Sequence, residues 1–292
     1  MMGARGTGWA VEADGVSFVY PEGTKALDGV DFRVKTGEFV ALLASNGSGK
    51  STLIRVLAGL LRARKGTVRI AGRDIREYPS KALYREIGVV FQDPDDQLFC
   101  ASVEEDVAFG PRNLGLSAAE VEGRVSAALT AVGASALRGR AVHHLSFGEK
   151  KRVAVAGVLA MEPSTLILDE ATAGLDPAGE ALMMRLLNRL NRERGITVVL
   201  ATHSVDLLPL FADRVYVLQR GRVLKEGTAE AIFYDHEMIE RAELRLPYIS
   251  VLLHDLKRYD GVPIEGLPLT VGEARKRLLD LIPVALIAGR RP

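Results

Sequence analysis

The sequence predicts an α/β fold: a mixed, largely parallel sheet covered by helices, with antiparallel strands at the front, an inserted helical segment and a small C-terminal extension. Three observations predict it. Short, continuous apolar runs at 39–43, 87–91, 165–168, 197–201 and 215–218 read as strands buried on both faces, the pattern of a parallel sheet. Helical patterns at 177–193 and 204–212 lie between the later runs, giving a strand–helix–strand rhythm. A glycine-rich, lysine-ended loop at 44–52 follows the first run and opens a helix.

Residues 10–43 alternate and turn like antiparallel strands, with turns at Pro21-Glu22-Gly23 and Thr36-Gly37. After the loop, a helix is expected over 51–60. Residues 97–163 break the rhythm with helical patterning throughout, and Ser117-Ala118-Ala119-Glu120 is a capping box opening one of these helices. This reads as a helical subdomain inserted into a domain spanning 1–235. From about 236 to 292, Pro247, Pro263 and Pro268 punctuate short segments, and Thr270-Val271-Gly272-Glu273 caps a final helix. That extension is marginal for a core of its own, so it is expected to pack on the main domain or on a second copy of the chain.

Composition removes several classes of function. Among 292 residues, 38 basic and 37 acidic side chains leave a net charge of +1, so no bulk field draws the chain to nucleic acid or lipid head groups. The lone Cys100 permits no internal disulfide and suits a reducing compartment. No apolar h-region follows the N-terminus, so no secretory signal is expected. The most apolar runs, 153–161 and 281–288, fall well short of the ~20 residues needed to cross a bilayer. Any membrane role is therefore lent by a partner.

The chemistry is concentrated in a few places. Ala44-Ser45-Asn46-Gly47-Ser48-Gly49-Lys50-Ser51-Thr52 stands between a buried strand and a helix, the setting of a phosphate loop. Gly47 and Gly49 let backbone N–H groups close around phosphate oxygens, and the helix N-terminus adds its dipole. Lys50 would reach the β- and γ-phosphates, and the Ser51 hydroxyl would bind Mg²⁺. The usual first glycine is Ala44: if that position needs positive φ, alanine costs something, and if it needs only smallness, alanine serves. Asp169 closes the run at 165–168 and would hold Mg²⁺, while Glu170 would orient or deprotonate an attacking water. A second segment, Leu145-Ser146-Phe147-Gly148-Glu149-Lys150-Lys151-Arg152, opens a basic helix just upstream and offers a second place to hold phosphate.

These pieces, in this order over residues 10–230, resemble the ATP-binding cassette (ABC) ATPases, so the implied fold is a P-loop NTPase of ABC type: a RecA-like core plus an antiparallel β subdomain. The resemblance implies ATP and Mg²⁺ as ligands and nucleotide held between two protomers. It implies that Leu145, Ser146, Phe147, Gly148 and Glu149 are the signature contacting the other protomer's nucleotide, and that Gln92 senses Mg²⁺. It further implies a dimer-interface role for Asp176, a γ-phosphate contact for His203 and adenine stacking for Tyr20. Two departures stand out. Phe147 replaces a glycine common in the signature, and Ala171 replaces a proline common after the catalytic glutamate. His143 and His144 read as structural and Cys100 as packing.

Local wording narrows the resemblance. Phe91-Gln92-Asp93-Pro94-Asp95-Asp96-Gln97-Leu98-Phe99, with 103–111, looks like the ATPases of energy-coupling-factor (ECF) importers. Ser146-Phe147-Gly148 with Lys150-Lys151-Arg152, and Leu267-Pro268-Leu269-Thr270, resemble their cobalt/nickel branch. There, two ATPases drive a transmembrane coupling protein and an integral substrate-binding component from the cytoplasmic face of the cell membrane. A homodimer peripheral to the membrane, with no nucleic-acid partner, is the implied assembly. The acids at 93, 95, 96 and 104–106 are expected to be solvated loop and helix-start charges. Alternatives are an ECF ATPase for a vitamin or other small substrate, a non-transport ABC ATPase, and a kinase-like P-loop enzyme. The last leaves 145–152 unexplained.

Overall fold

A computed structural model describes residues 8–282. Among the described residues, ten strands form two sheets. In chain order they are β1 (Trp9–Val19), β2 (Lys25–Lys35), β3 (Phe39–Ala44), β4 (Lys65–Ile70), β5 (Arg73–Asp74), β6 (Ile87–Val90), β7 (Thr165–Asp169), β8 (Thr197–Thr202), β9 (Arg214–Gln219) and β10 (Arg222–Gly227). The four-stranded sheet, ordered β2-β1-β4-β5, is antiparallel. The six-stranded sheet, ordered β10-β9-β3-β8-β7-β6, is parallel except for β10 at its edge.

The helices are α1 (Lys50–Leu57), α2 (Ser80–Glu86), α3 (Val103–Asn113), α4 (Ala118–Ala131), α5 (Phe147–Leu159), α6 (Pro177–Arg194), α7 (Leu208–Phe211), α8 (Ala229–Phe233), α9 (His236–Arg241), α10 (Tyr248–Arg258) and α11 (Val271–Leu281). The apolar runs of β3, β7 and β8 are buried at every position, as residues covered on both faces must be. α1 begins one residue earlier than expected and ends at Leu57 instead of 60, because the chain turns left-handed at Gly59 (φ 73°). Of the helix expected over 204–212, only Leu208–Phe211 forms.

Side chains on alternate faces of β3 feed two cores. Phe39, Ala41 and Leu43 join the core shared with α3–α6, while Val40, Leu42 and Ala44 join the one beneath α1 and the antiparallel sheet. The chain leaves the sheet after β6, runs through α3, α4 and α5, and returns on the neighbouring strand β7. Beyond β10, α8 and α9 bury Phe233, Met238 and Ile239 in the first core, whereas α10 and α11 close over a small separate cluster of Leu253, Ile264 and Ala274. No helix among the described residues is long and apolar enough to cross a membrane.

Candidate nucleotide-binding and hydrolysis site

The 44–52 loop links the C-terminal end of β3 to the first turn of α1, so its N–H groups open onto the end of the parallel sheet. Ala44 is the last residue of β3, fully buried and without positive φ; the position asks for smallness, which alanine supplies. The left-handed positions are Gly47 (φ 76°) and Gly49 (φ 97°). A Cβ at Gly49 would collide with the Ala26 carbonyl oxygen, so glycine there serves packing as well as backbone conformation. Ser45 and Ser48 close the loop on itself: their hydroxyls lie 2.9 Å apart, and Ser48 Oγ donates to the Ser45 carbonyl at 2.6 Å. Asn46 sits exposed between them. The Tyr20 hydroxyl meets Thr52 Oγ1 at 3.0 Å, and its ring packs edge-on against Phe18, which puts it beside the start of α1.

Two groups singled out in the sequence converge on the carboxylate of a third, Glu170. Lys50 Nζ forms a buried ion pair with Glu170 Oε1, and His203 Nδ1 lies 3.0 Å from the same oxygen. Glu170 is 2% exposed, whereas the His203 side chain is 61% exposed at the mouth of the site. The other oxygen, Glu170 Oε2, is buried and makes no hydrogen bond within the described chain. Glu170 also adopts φ 51°, a left-handed conformation uncommon for a side-chain-bearing residue.

A cavity of about 340 Å³ adjoins this cluster and is lined by Ser51, Gln92, Asp169, Arg55, Asp93 and Phe147, among others. The three residues expected to hold Mg²⁺ thus face one space. Burial pushes the Asp169 carboxyl above its usual range, although the Ser51 hydroxyl and Lys50 pull the other way. Its Oδ1 is buried and without a hydrogen-bond partner in the described chain. An acceptor orphaned against a cavity suits a hard cation with oxygen ligands, so the residues present fit Mg²⁺.

The signature segment lies elsewhere. Ser146 is the N-cap of α5 in a complete capping box with Glu149, accepting from Glu149 N at 3.3 Å while Glu149 Oε2 accepts from Ser146 N at 2.8 Å. Leu145 is buried, and Ser146 is exposed. Gly148 faces Leu175 and a different cavity, so neither Ser146 nor Gly148 lines the space beside Ser51. Phe147 does, with helical rather than positive φ, and its ring covers Gly174, where an added Cβ would lie 2.9 Å away. Asp176 is exposed and caps α6, accepting from Gly179 N at 2.7 Å. Gln92 is exposed on the loop after β6.

Two features went unread in the sequence. Asp106, expected as a solvated charge, is buried, and its Oδ2 accepts from both Phe99 N and Cys100 N at 2.9 Å, pinning the loop before α3. The cause is its place on the inward face of that helix. Lys151, grouped with its basic neighbours, is 2% exposed and donates from Nζ to the Glu170 carbonyl at 2.8 Å, with the Phe147 ring 5.2 Å away. Burial brings its pKa down to about 8 against the opposing pull of Glu170 and Asp93. The usable signal was its spacing of four from Phe147 on a helix otherwise filled with Val and Ala.

The fold and the phosphate loop, strand-end acids and distant signature together define a nucleotide-hydrolysing cassette. A family model described as ABC transporter matches residues 27–173, and the chain belongs to that family of ATPases. Within it, the chain is 49% identical to the energy-coupling factor transporter ATP-binding protein EcfA of Methanocaldococcus jannaschii, over 94% of this chain and 98% of that protein. Among solved structures it is similar to cbiO1 of Clostridium perfringens, described as part of the ABC transporter complex cbiONQ: TM-score 0.73, 44% identity, 84% of this chain and 99% of that one. It is also similar to the ATP-binding cassette MJ0796, solved as a dimer with ADP and phosphate: TM-score 0.69, 29% identity, 75% and 98% coverage. The chain is an ABC ATPase of the energy-coupling-factor type.

Proposed function

We propose that this chain powers an ECF-type importer of a transition-metal ion, cobalt or nickel, as one of two ATPase subunits at the cytoplasmic face of the cell membrane. The observation that carries the hydrolytic reading is the meeting of Lys50, Glu170 and His203 on a single carboxylate oxygen beside the cavity of Ser51, Gln92 and Asp169. ATP phosphates would take the N–H groups of 47–52 and offer Lys50 a second anionic partner. Transfer of Lys50 to the phosphates would leave the Glu170 carboxylate to orient a water and accept its proton. His203, exposed at the mouth, would donate to the γ-phosphate. Bound Mg²⁺, held by Ser51, Gln92 and Asp169, would supply charge neutralisation at the phosphate oxygens. Ser146 and Gly148, which do not line the cavity beside Ser51, would serve the nucleotide of a second copy. Asp176 would cross that interface, and Tyr20 would meet the adenine.

Two surfaces support partners. An apolar groove of about 430 Å³ lined by Tyr84, Phe91, Phe99, Phe109, Gly110 and Met161 adjoins the Gln92 loop, and suits a transmembrane coupling protein. On α10 and at its C-cap, Leu252 and Tyr259 stand exposed, which suits a role for 236–292 in holding the two copies together. The metal reading rests on the wording of 146–152 and 267–270; the second reading, a vitamin or other small substrate, shares every other feature. Co-purification from membranes followed by ATP-dependent uptake of Ni²⁺ and Co²⁺ decides between them, and uptake of neither removes the metal.

A further inference from the structure

The start of α5 is tied to two other parts of the molecule by consecutive lysines. Lys150 Nζ pairs with Asp95 at 2.6 Å, and Asp95 belongs to the loop that follows Gln92. Gln97, at the end of that loop, donates to the Ala154 carbonyl on α5 at 3.1 Å and accepts from Phe91 N at 3.1 Å. The helix is thus fastened to the Gln92 loop. Lys151, the next residue, points inward to the carbonyl of Glu170.

A buried ammonium is costly unless it is paired, and the side chain of Lys151 makes one hydrogen bond among the described residues. That bond falls on Glu170, the one residue of the site other than glycine that is held at positive φ among the described residues. Four residues before it on the same helix face, Phe147 roofs the ammonium and covers Gly174, closing water out of the contact. The arrangement buries a charge in order to hold one carbonyl.

We propose that Lys151 is a positioning residue for hydrolysis: it fixes the Glu170 peptide so that the carboxylate stays aimed at Lys50 and His203, and it passes displacement of α5 to that carboxylate. The inference rests on the hydrolytic role given to Glu170 above and deepens it. In this role residue 151 acts through Glu170, whose carbonyl it holds.

The test uses the purified full-length chain with Mg-ATP. Lys151→Met is expected to lower kcat about 10- to 100-fold while KM for ATP stays within about twofold, and Lys151→Arg, which can still donate, is expected to recover most of the loss. In the Glu170→Gln background, Lys151→Met is expected to lower single-turnover hydrolysis no further, because the residue it positions has lost its role. ATP-driven dimerisation of that double variant, measured by size exclusion, checks that it folds and binds. If the methionine variant does not fold, Lys151→Gln, polar but too short to reach the carbonyl, carries the same expectations. A kcat within twofold of wild type, a KM that rises in step with the fall in kcat, or an additive loss in the double variant overturns the proposal while leaving the hydrolytic reading intact. Unchanged hydrolysis in Glu170→Gln alone overturns both.

Discussion

His203 Nδ1 lies 3.0 Å from Glu170 Oε1, the oxygen that also accepts from Lys50, although the three residues come from β-strand ends and a loop far apart in sequence. A carboxylate so held can exchange a lysine for a water without moving its backbone. Glu170→Gln is therefore expected to lower ATP turnover by roughly 10²- to 10⁴-fold, the range for loss of a general base. ATP binding persists, and an ATP-bound dimer accumulates on a sizing column. A rate near wild type removes Glu170 from the chemistry.

Gly49 and Gly47 separate two costs of a side chain in the phosphate loop. Both are left-handed, but an added Cβ at Gly47 meets open space while one at Gly49 strikes the Ala26 carbonyl. Gly47→Ala is expected to cost about 1 kcal/mol of stability, and Gly49→Ala clearly more, because the loop must shift as well. Thermal denaturation of the two variants, with ATP affinity alongside, measures the difference; equal losses would show that the contact with Ala26 relaxes freely.

Phe147→Gly removes the ring from Lys151 and Gly174. Its contribution as a cation–π partner and partial cover is about 1 kcal/mol. Turnover is expected to fall a few-fold with ATP affinity kept, and Phe147→Leu should lie between. Unchanged ATP-coupled transport in Phe147→Gly would make the aromatic ring incidental.

Asp206, three residues beyond His203, binds the C-terminal extension: its Oδ1 accepts from Tyr248 N at 2.8 Å, and its carboxylate pairs with Arg245. Burial alone would raise the Asp206 pKa, but Arg245 and the Tyr248 N–H bring it below the ordinary aspartate value. A lowered carboxylate pKa stabilises the fold above the unfolded value and loses that contribution as pH falls through the folded one. Arg245→Ala is expected to melt lower than wild type at neutral pH, by at most about 1 kcal/mol because the pair is partly exposed and screened. The gap in melting temperature should close below about pH 4; a gap that persists there assigns the effect to packing of Arg245 over Tyr248.

The legible parts of this chain were those where a local pattern and its tertiary setting agree. β3 is apolar throughout, and β7 and β8 are so between their polar ends, because all three are buried throughout, and the loop after β3 is written in order along the chain. β4 and β10, reading Lys-Gly-Thr-Val-Arg-Ile and Arg-Val-Leu-Lys-Glu-Gly, were not legible: they are half-exposed, and sheet pairing rather than composition makes them strands. The short helices α8 and α9 were missed because burial of Phe233 and Met238, not length or strong periodicity, sustains them. Asp106 and Lys151 were hidden for a related reason. Each looks like one more charge in a charged stretch, and only the fold shows which of several neighbours faces inward.

The route from β6 to β7 has one more consequence. These strands are parallel neighbours, so the chain leaving the top of β6 must return to the bottom of β7, and α5 makes that descent. The helix that opens with Ser146 is thus the ordinary crossover of a strand–helix–strand unit, and α3 and α4 are an embellishment threaded ahead of it. The embellishment can be remodelled without touching the sheet, whereas α5 cannot be removed without unmaking it.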